Sequence, residues 1–168
     1  MEDLITIQRI SEAHPKVRLL LLQQYKEANN LLGKGARLRL AYVYRSNALQ
    51  DKLYSQKPKV TNAKGGQSIH NYGLAFDIVM LYDNDGDGNF EEASWSQIRD
   101  FDKDSKADWM EVTNYFKSKG WEWGGDWKLF KDAPHFQMVF GHTWQTLKAK
   151  INQGEVIKDA NGIIYPEI

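Results

Sequence analysis

Apolar residues recur at helical spacing over residues 3–13, at Leu4, Ile7 and Ile10, and Pro15 ends that pattern. Residues 16–32, KVRLLLLQQYKEANNLL, read as the main amphipathic helix, with Gly33 and Gly35 after it as a stop. Alternation then takes over, and RLRLAYVYR, residues 37–45, predicts a strand. Ser46 is placed to cap a helix through SNALQDKLYSQ, with Leu49 and Leu53 turned inward. KPKVTNAKGGQS is a glycine-containing loop, LAFDIVM (74–80) a second strand, and YDNDGDGNFEEA a polar, turn-rich loop. A helix is predicted over 105–119, ending at Gly120. WEWGGDWKLFKDAP is an aromatic loop, and HFQMVF (135–140) a third strand. The tail from 142 opens with a short helix and closes in a hairpin-like IKDANGIIY, where Asn161-Gly162 is a good turn. Repeats, low-complexity segments and internal linkers are absent from the sequence. The pattern predicts one α+β domain over 1–168, with helices packed on a small, mostly antiparallel sheet.

Composition narrows the chemistry. A chain of 168 residues buries a core without staples. Lysine plus arginine matches aspartate plus glutamate, 22 against 22, so no global charge draws the chain to nucleic acid or to an anionic membrane. Cysteine is missing, which excludes disulfides, thiolate metal sites and thiol nucleophiles. Any metal must therefore be held by His, Asp or Glu. MEDLITIQRI has acids early and no long apolar segment, so no secretory signal is read there. Leu19–Leu22 is far too short to span a bilayer. The expectation is a monomer made in the cytosol without membrane insertion, released by another system if it acts outside. Six tryptophans and eight tyrosines serve either the core or a surface that grips a flat or sugar-bearing ligand.

One position resists the apolar pattern. Asp77 sits inside LAFDIVM, and a buried, unpaired carboxylate costs several kcal/mol or stays protonated. Alternation puts Leu74, Phe76, Ile78 and Met80 on a core face, and Ala75, Asp77 and Val79 on the other, toward a cleft. His70 lies seven residues earlier, with Gly73 between them to permit close backbone approach. His135 opens the third strand with the same arrangement, sharing a face with Gln137 and Val139. If the two strands are neighbours, His70, Asp77 and His135 supply two imidazoles and a carboxylate, with a fourth position left for water, as a catalytic zinc requires. The pattern alone leaves a second reading open, in which the histidines are ordinary buried residues and Asp77 pairs with an arginine. Asp132, three residues before His135 in KDAPHF, is presented on an extended loop by Pro134 and can shuttle a proton; otherwise it is a solvated loop acid. Arg45 follows the first strand, where a guanidinium can hold an oxyanion.

Taken together, these motifs resemble a known family. SIHNYGLAFDIV is similar to the Ser-x-His-x-x-Gly-x-Ala-x-Asp signature of the zinc D-alanyl-D-alanine carboxypeptidases and L-alanyl-D-glutamate endopeptidases. DAPHF resembles the second motif of that group, an acid three residues before a histidine, and YRSNALQDKLYSQ its Tyr-Arg-Ser…Gln…Leu-Tyr segment. VTNAKGGQS and GWEWGGDW look most like the L-alanyl-D-glutamate branch, which includes phage endolysins. The resemblance runs from about Ile10 to Phe140, leaving 141–168 as a tail. It implies zinc on His70, Asp77 and His135, Asp132 as the catalytic acid or base, and Arg45 as the transition-state arginine. Ser68 corresponds to a residue beside the site that hydrogen-bonds substrate or supports a ligand. The implied reaction is attack of a zinc-activated water on a peptide carbonyl in a peptidoglycan stem peptide, at the bond between L-alanine and D-glutamate. D-alanyl-D-alanine carboxypeptidase or dipeptidase activity, and a non-catalytic wall-peptide-binding module, are the alternatives.

The acidic loop adds a second expectation. Asp83, Asp85 and Asp87 alternate, and Gly88 follows, as at positions 1, 3, 5 and 6 of a calcium loop. Position 12 is Ser94 in place of the bidentate glutamate, so Glu91 or Glu92 would have to substitute. A solvated Asp/Gly turn is the competing reading.

Overall fold

In the computed structural model, which describes residues 2–168, α1 (Leu4–Ile10) begins at Asp3; Met1, the first residue of the expected domain, lies outside the described residues. The Asp3 carboxylate accepts from the Thr6 amide and hydroxyl, and also receives both arms of the Arg39 guanidinium at 2.8 and 2.9 Å. One buried acid thus caps a helix and ties it to the first strand. α2 (Pro15–Asn29) starts on His14, with proline at its first position. It ends three residues short of the predicted end at Leu32, because the Asn29 side chain accepts the Leu38 amide at 2.9 Å and Asn30 caps the last turn. Of the four leucines at 19–22 only Leu21 is fully buried, while Leu19 faces solvent.

β1 (Ala36–Tyr42) follows, then α3 (Asn47–Ser55), whose Ser46 cap accepts the Leu49 amide at 3.1 Å as the sequence predicts. The residue that α3 buries is Gln50, not Leu49 or Leu53, which stay half-exposed. Its amide holds the Ala63 carbonyl at 2.9 Å, so this helix clamps the loop ahead of His70 rather than packing on the core.

β2 (Ala75–Tyr82) is the axis of the sheet. β1 pairs with it antiparallel along almost its whole length. Its other edge is shared by two short strands: β3 (Glu92–Ser94) pairs with Met80–Tyr82, and β5 (His135–Gln137) with Ala75–Asp77, both antiparallel. β4 (Glu122–Trp123) closes the far side of β5. α4 (Asp108–Ser118) lies beneath, where Phe76 stacks on Phe136 (centroids 5.2 Å, planes 10° apart) and meets Phe116 and Trp121 at 4.8 and 4.7 Å. Phe76, Ile78 and Met80 enter this core as the alternation predicts, with Tyr82 beside them, whereas on the opposite face Ala75 and Val79 are buried too and only Asp77 is partly open.

α5 (Trp144–Gln153) and the hairpin of β6 (Val156–Lys158) and β7 (Ile164–Pro166) form the tail. The tail docks on the N-terminus of α2: the His14 Nε2–H donates to the Pro166 carbonyl at 2.8 Å, while Nδ1 accepts the Lys16 amide. Among the described residues no helix is long and apolar enough to cross a membrane. The architecture is the expected α+β arrangement on a mostly antiparallel sheet.

Candidate metal centre

The register between β2 and β5 sets Asp77 directly opposite His135. His70 arrives from a 3-10 turn, Ile69–Tyr72, capped by Ser68. Gly73 ends that turn with φ of 67° and packs so closely that an added Cβ would lie 2.5 Å from the His14 amide nitrogen, so only glycine fits. Three atoms meet as a result: His70 Nε2, His135 Nδ1 and Asp77 Oδ1 lie 3.1 to 3.2 Å from one another.

The far side of each ring fixes what those atoms offer. His70 Nδ1 lies 2.8 Å from the Val43 carbonyl, which can only accept, so Nδ1 carries the proton and Nε2 is left with a lone pair. The His135 Nε2 lies 3.0 Å from Gln137 Oε1. The Gln137 amide is itself oriented, because its NH2 donates to the Glu122 carboxylate at 3.1 Å. Nε2 of His135 therefore carries the proton, and Nδ1 presents a lone pair. Two imidazole lone pairs and a carboxylate oxygen converge with no proton between them. Such a set needs a cation, or extra protons, at its centre. Without a metal, burial lowers both histidines; the hydrogen bond and charge of Asp77 outweigh it at His135, which is pushed up, but not at His70, which stays down. Burial would raise Asp77, yet the charge of His70 and the hydrogen bonds from both rings hold it well below the usual carboxylate range.

Arg45 is the arginine partner that the second reading expects for Asp77, and its pairing does not exclude the first. Its guanidinium pairs with Asp77 Oδ2, leaving Oδ1 for the histidines. The Tyr42 ring supports the guanidinium from 4.2 Å, and the Arg45 amide bonds the His70 carbonyl at 3.0 Å. A cavity of about 320 Å³ opens over this group. Asp132 lines it, positioned by its amide on the Gly124 carbonyl at 3.0 Å, where no side chain would fit on Gly124. Burial raises the Asp132 carboxyl, and the Asp77 charge raises it further. Ser68 also lines the cavity, and its hydroxyl accepts the His70 amide at 3.3 Å. Thr61, Gln67 and Trp127 complete the wall, with the Trp127 ring 5.2 Å from His135. Glu122 and the Val43 carbonyl were not legible as site groups in the sequence. Gln137 was visible only as a residue on the His135 face.

The acidic loop is placed differently. Oxygens of Asp83, Asp85 and Glu91 lie within 4.8 Å of one another, whereas the Asp87 carboxylate is turned to the Asn89 amide groups. Asp83 already accepts the Gly86 and Gly88 amides, Glu91 the Asn84 amide, and Glu92 the Arg99 guanidinium.

Residues 61–138 match the family described as D-alanyl-D-alanine carboxypeptidase, a segment that includes His70, Asp77, Asp132 and His135 but not Arg45. Over 111 residues the chain is 43% identical to the peptidoglycan L-alanyl-D-glutamate endopeptidase CwlK of Bacillus subtilis, a match covering 63% of each protein. The chain thus spans about 63% of the length of that relative. Among solved structures, the L-Ala D-Glu endopeptidase ChiX of Serratia marcescens is similar in fold, with a TM-score of 0.51 and 22% identity over 81% of this chain and 87% of that one. Through residues 61–138, the chain is thus similar to the family described as D-alanyl-D-alanine carboxypeptidase.

Proposed function

We propose that the chain is a zinc-dependent peptidase that cleaves peptidoglycan stem peptides between L-alanine and D-glutamate. The observation that carries this reading is the convergence of two imidazole lone pairs and a carboxylate oxygen in a cavity that also holds a half-buried acid and an arginine. Nitrogen and carboxylate donors of this kind suit zinc, and His70, Asp77 and His135 are the residues that would hold it. When bound, zinc supplies Lewis-acid activation of water and of the scissile carbonyl. The choice of bond follows the activity for which the Bacillus subtilis relative is named.

The chain's own groups account for the remaining steps. Asp132, as the carboxylate, takes a proton from the attacking water as its oxygen bonds to the carbonyl carbon. It then gives that proton to the departing nitrogen as the C–N bond breaks. Its raised carboxyl suits both halves of this transfer. Arg45 places a permanent positive charge beside the carbonyl oxygen while steadying Asp77. Ser68 stiffens the turn that delivers His70 and lies where a substrate amide can reach it. The loop at 83–92 enters this reading only as surface beyond the end of β2, its acids already bound within the loop or, for Glu92, to Arg99.

The test is incubation of purified protein with defined muropeptides, with and without a chelator, and product identification by mass. Chelator-sensitive release of fragments cut after L-alanine supports the proposal. Loss of terminal D-alanine instead makes the chain a carboxypeptidase, and retention without cleavage makes it a binding module.

A further inference from the structure

The acids that lead into α4 form a second cluster, remote in sequence from the cleft ligands. From Asp100 to Glu111 the chain reads DFDKDSKADWME, with acids at the first, third, fifth, ninth and twelfth positions of a twelve-residue loop. A calcium loop uses those positions for side-chain ligands and the seventh for a backbone carbonyl, here that of Lys106. Its sixth position must turn left-handed, and Ser105 does so with φ of 74°. α4 begins at the ninth position, Asp108. In the fold, oxygens of Asp100, Asp102 and Asp108 come within 4.8 Å of one another. Asp100 curls the loop by accepting the Asp104 and Ser105 amides at 3.1 and 2.9 Å.

Spacing and turns alone would also fit a solvated acidic bend. Asp108 is the distinguishing residue. It is completely buried, and its Oδ2 accepts the Tyr82 hydroxyl at 2.7 Å and the Phe101 amide at 3.2 Å. Its Oδ1 is buried with no partner at all. The same holds for Glu111 Oε2, on a side chain only 10% exposed. A buried oxygen without a donor costs free energy, and two on adjacent ligand positions call for a donor or a cation that the chain itself does not supply. Burial pushes both carboxyls up, and neighbouring acids add to it: Asp102 and Asp100 act on Asp108, Asp104 on Glu111. Five acids in the loop face two lysines. The Lys106 ammonium sits 2.9 Å from Asp104 and 3.5 Å from Glu111, between the fifth and twelfth positions, on a side chain 66% exposed and free to leave. The 83–91 loop, by contrast, leaves no buried oxygen unpartnered among the described residues.

We propose that Asp100, Asp102, Asp104, Asp108, Glu111 and the Lys106 carbonyl bind one calcium ion. An all-oxygen, carboxylate-rich set favours calcium over zinc, and six candidate protein ligands are more than magnesium, which keeps several of its waters, usually takes. The ion would displace the Lys106 ammonium, satisfy Asp108 and Glu111, and fix the first turn of α4. That helix carries Phe116, which packs on Phe76 and Phe136, the strand neighbours of Asp77 and His135. Calcium at the loop therefore steadies the floor beneath the cleft.

Full-length, zinc-loaded protein in calcium-free buffer, titrated with CaCl2 by calorimetry and followed by thermal unfolding, tests this. One ion per chain should bind with a Kd below about 1 mM and raise Tm. Glu111→Gln should weaken binding by about tenfold or more, as should the surface double variant Asp102→Asn/Asp104→Asn, while Asp85→Asn leaves it unchanged. The double variant decides the matter if Glu111→Gln fails to fold. The proposal is overturned by absence of heat and of any Tm change up to about 10 mM CaCl2. It is also overturned by wild-type affinity in the loop variants, or by loss of binding in Asp85→Asn. None of these outcomes depends on peptidase activity, so failure here leaves the cleft chemistry standing.

Discussion

Gln137→Leu removes one hydrogen bond and, with it, the reason His135 offers the correct nitrogen. In the folded chain Glu122 orients the Gln137 amide, and the amide oxygen accepts the Nε2–H of His135 at 3.0 Å. Without that acceptor the two neutral tautomers become comparable, and part of the population carries its proton on Nδ1, where a metal must bind. Loss of an outer partner of this kind typically costs 10- to 100-fold in metal affinity, about 1.4–2.7 kcal/mol. Gln137 is half-buried and Glu122 exposed, so water can replace part of the lost bond and the effect should fall near the low end, about tenfold. Competition for zinc against a chromophoric chelator at neutral pH measures it directly. Glu122→Ala should give a smaller loss, because the amide keeps its place but not its orientation. A zinc affinity for Gln137→Leu within about twofold of the parent would refute the tautomer argument.

Other expectations follow from the same structure. Asp132→Ala should retain zinc and lose turnover by at least about 100-fold, whereas His135→Ala should lose both; full activity in Asp132→Ala would remove the assigned proton carrier. Burial, aided by the Lys16 and Arg18 charges, keeps His14 below its ordinary value of 6.5, so the folded state takes up fewer protons than the unfolded one below that pH. Its stabilisation is present above pH 6.5 and is lost as pH falls. Urea unfolding from pH 7 to 5.5 should show a shallower decline in His14→Asn than in the parent, and equal slopes would contradict the assignment. Phe76→Ala opens the stack beneath the cleft and should cost about 3–5 kcal/mol in the same assay, a loss under about 1 kcal/mol being inconsistent with the packing.

The sequence made the candidate metal ligands legible because a period-2 strand left one carboxylate among apolar neighbours, and a second strand repeated the arrangement with His135. Spacing carried no such information about Arg45, whose pairing with Asp77 depends on the β1–β2 register. The third strand proved half as long as predicted. Its ladder stops where the Met138 amide turns back to the Leu74 carbonyl, and Phe140 adopts φ of 50° just before Gly141. The inward face of α3 was misread because its buried residue is a glutamine that holds backbone, which no hydrophobic pattern marks. The spacing of acids at 100–111 is hidden in the sequence because a helix predicted from 105 absorbs its second half; in the fold α4 starts only at Asp108.

Everything proposed for the cleft requires one zinc ion on His70, Asp77 and His135. X-ray diffraction from zinc-loaded crystals, collected on both sides of the zinc absorption edge, locates the ion without reference to activity. The account predicts a single strong anomalous peak within coordination distance of His70 Nε2, His135 Nδ1 and Asp77 Oδ1. A peak elsewhere, or none at that cluster in zinc-saturated protein, contradicts it.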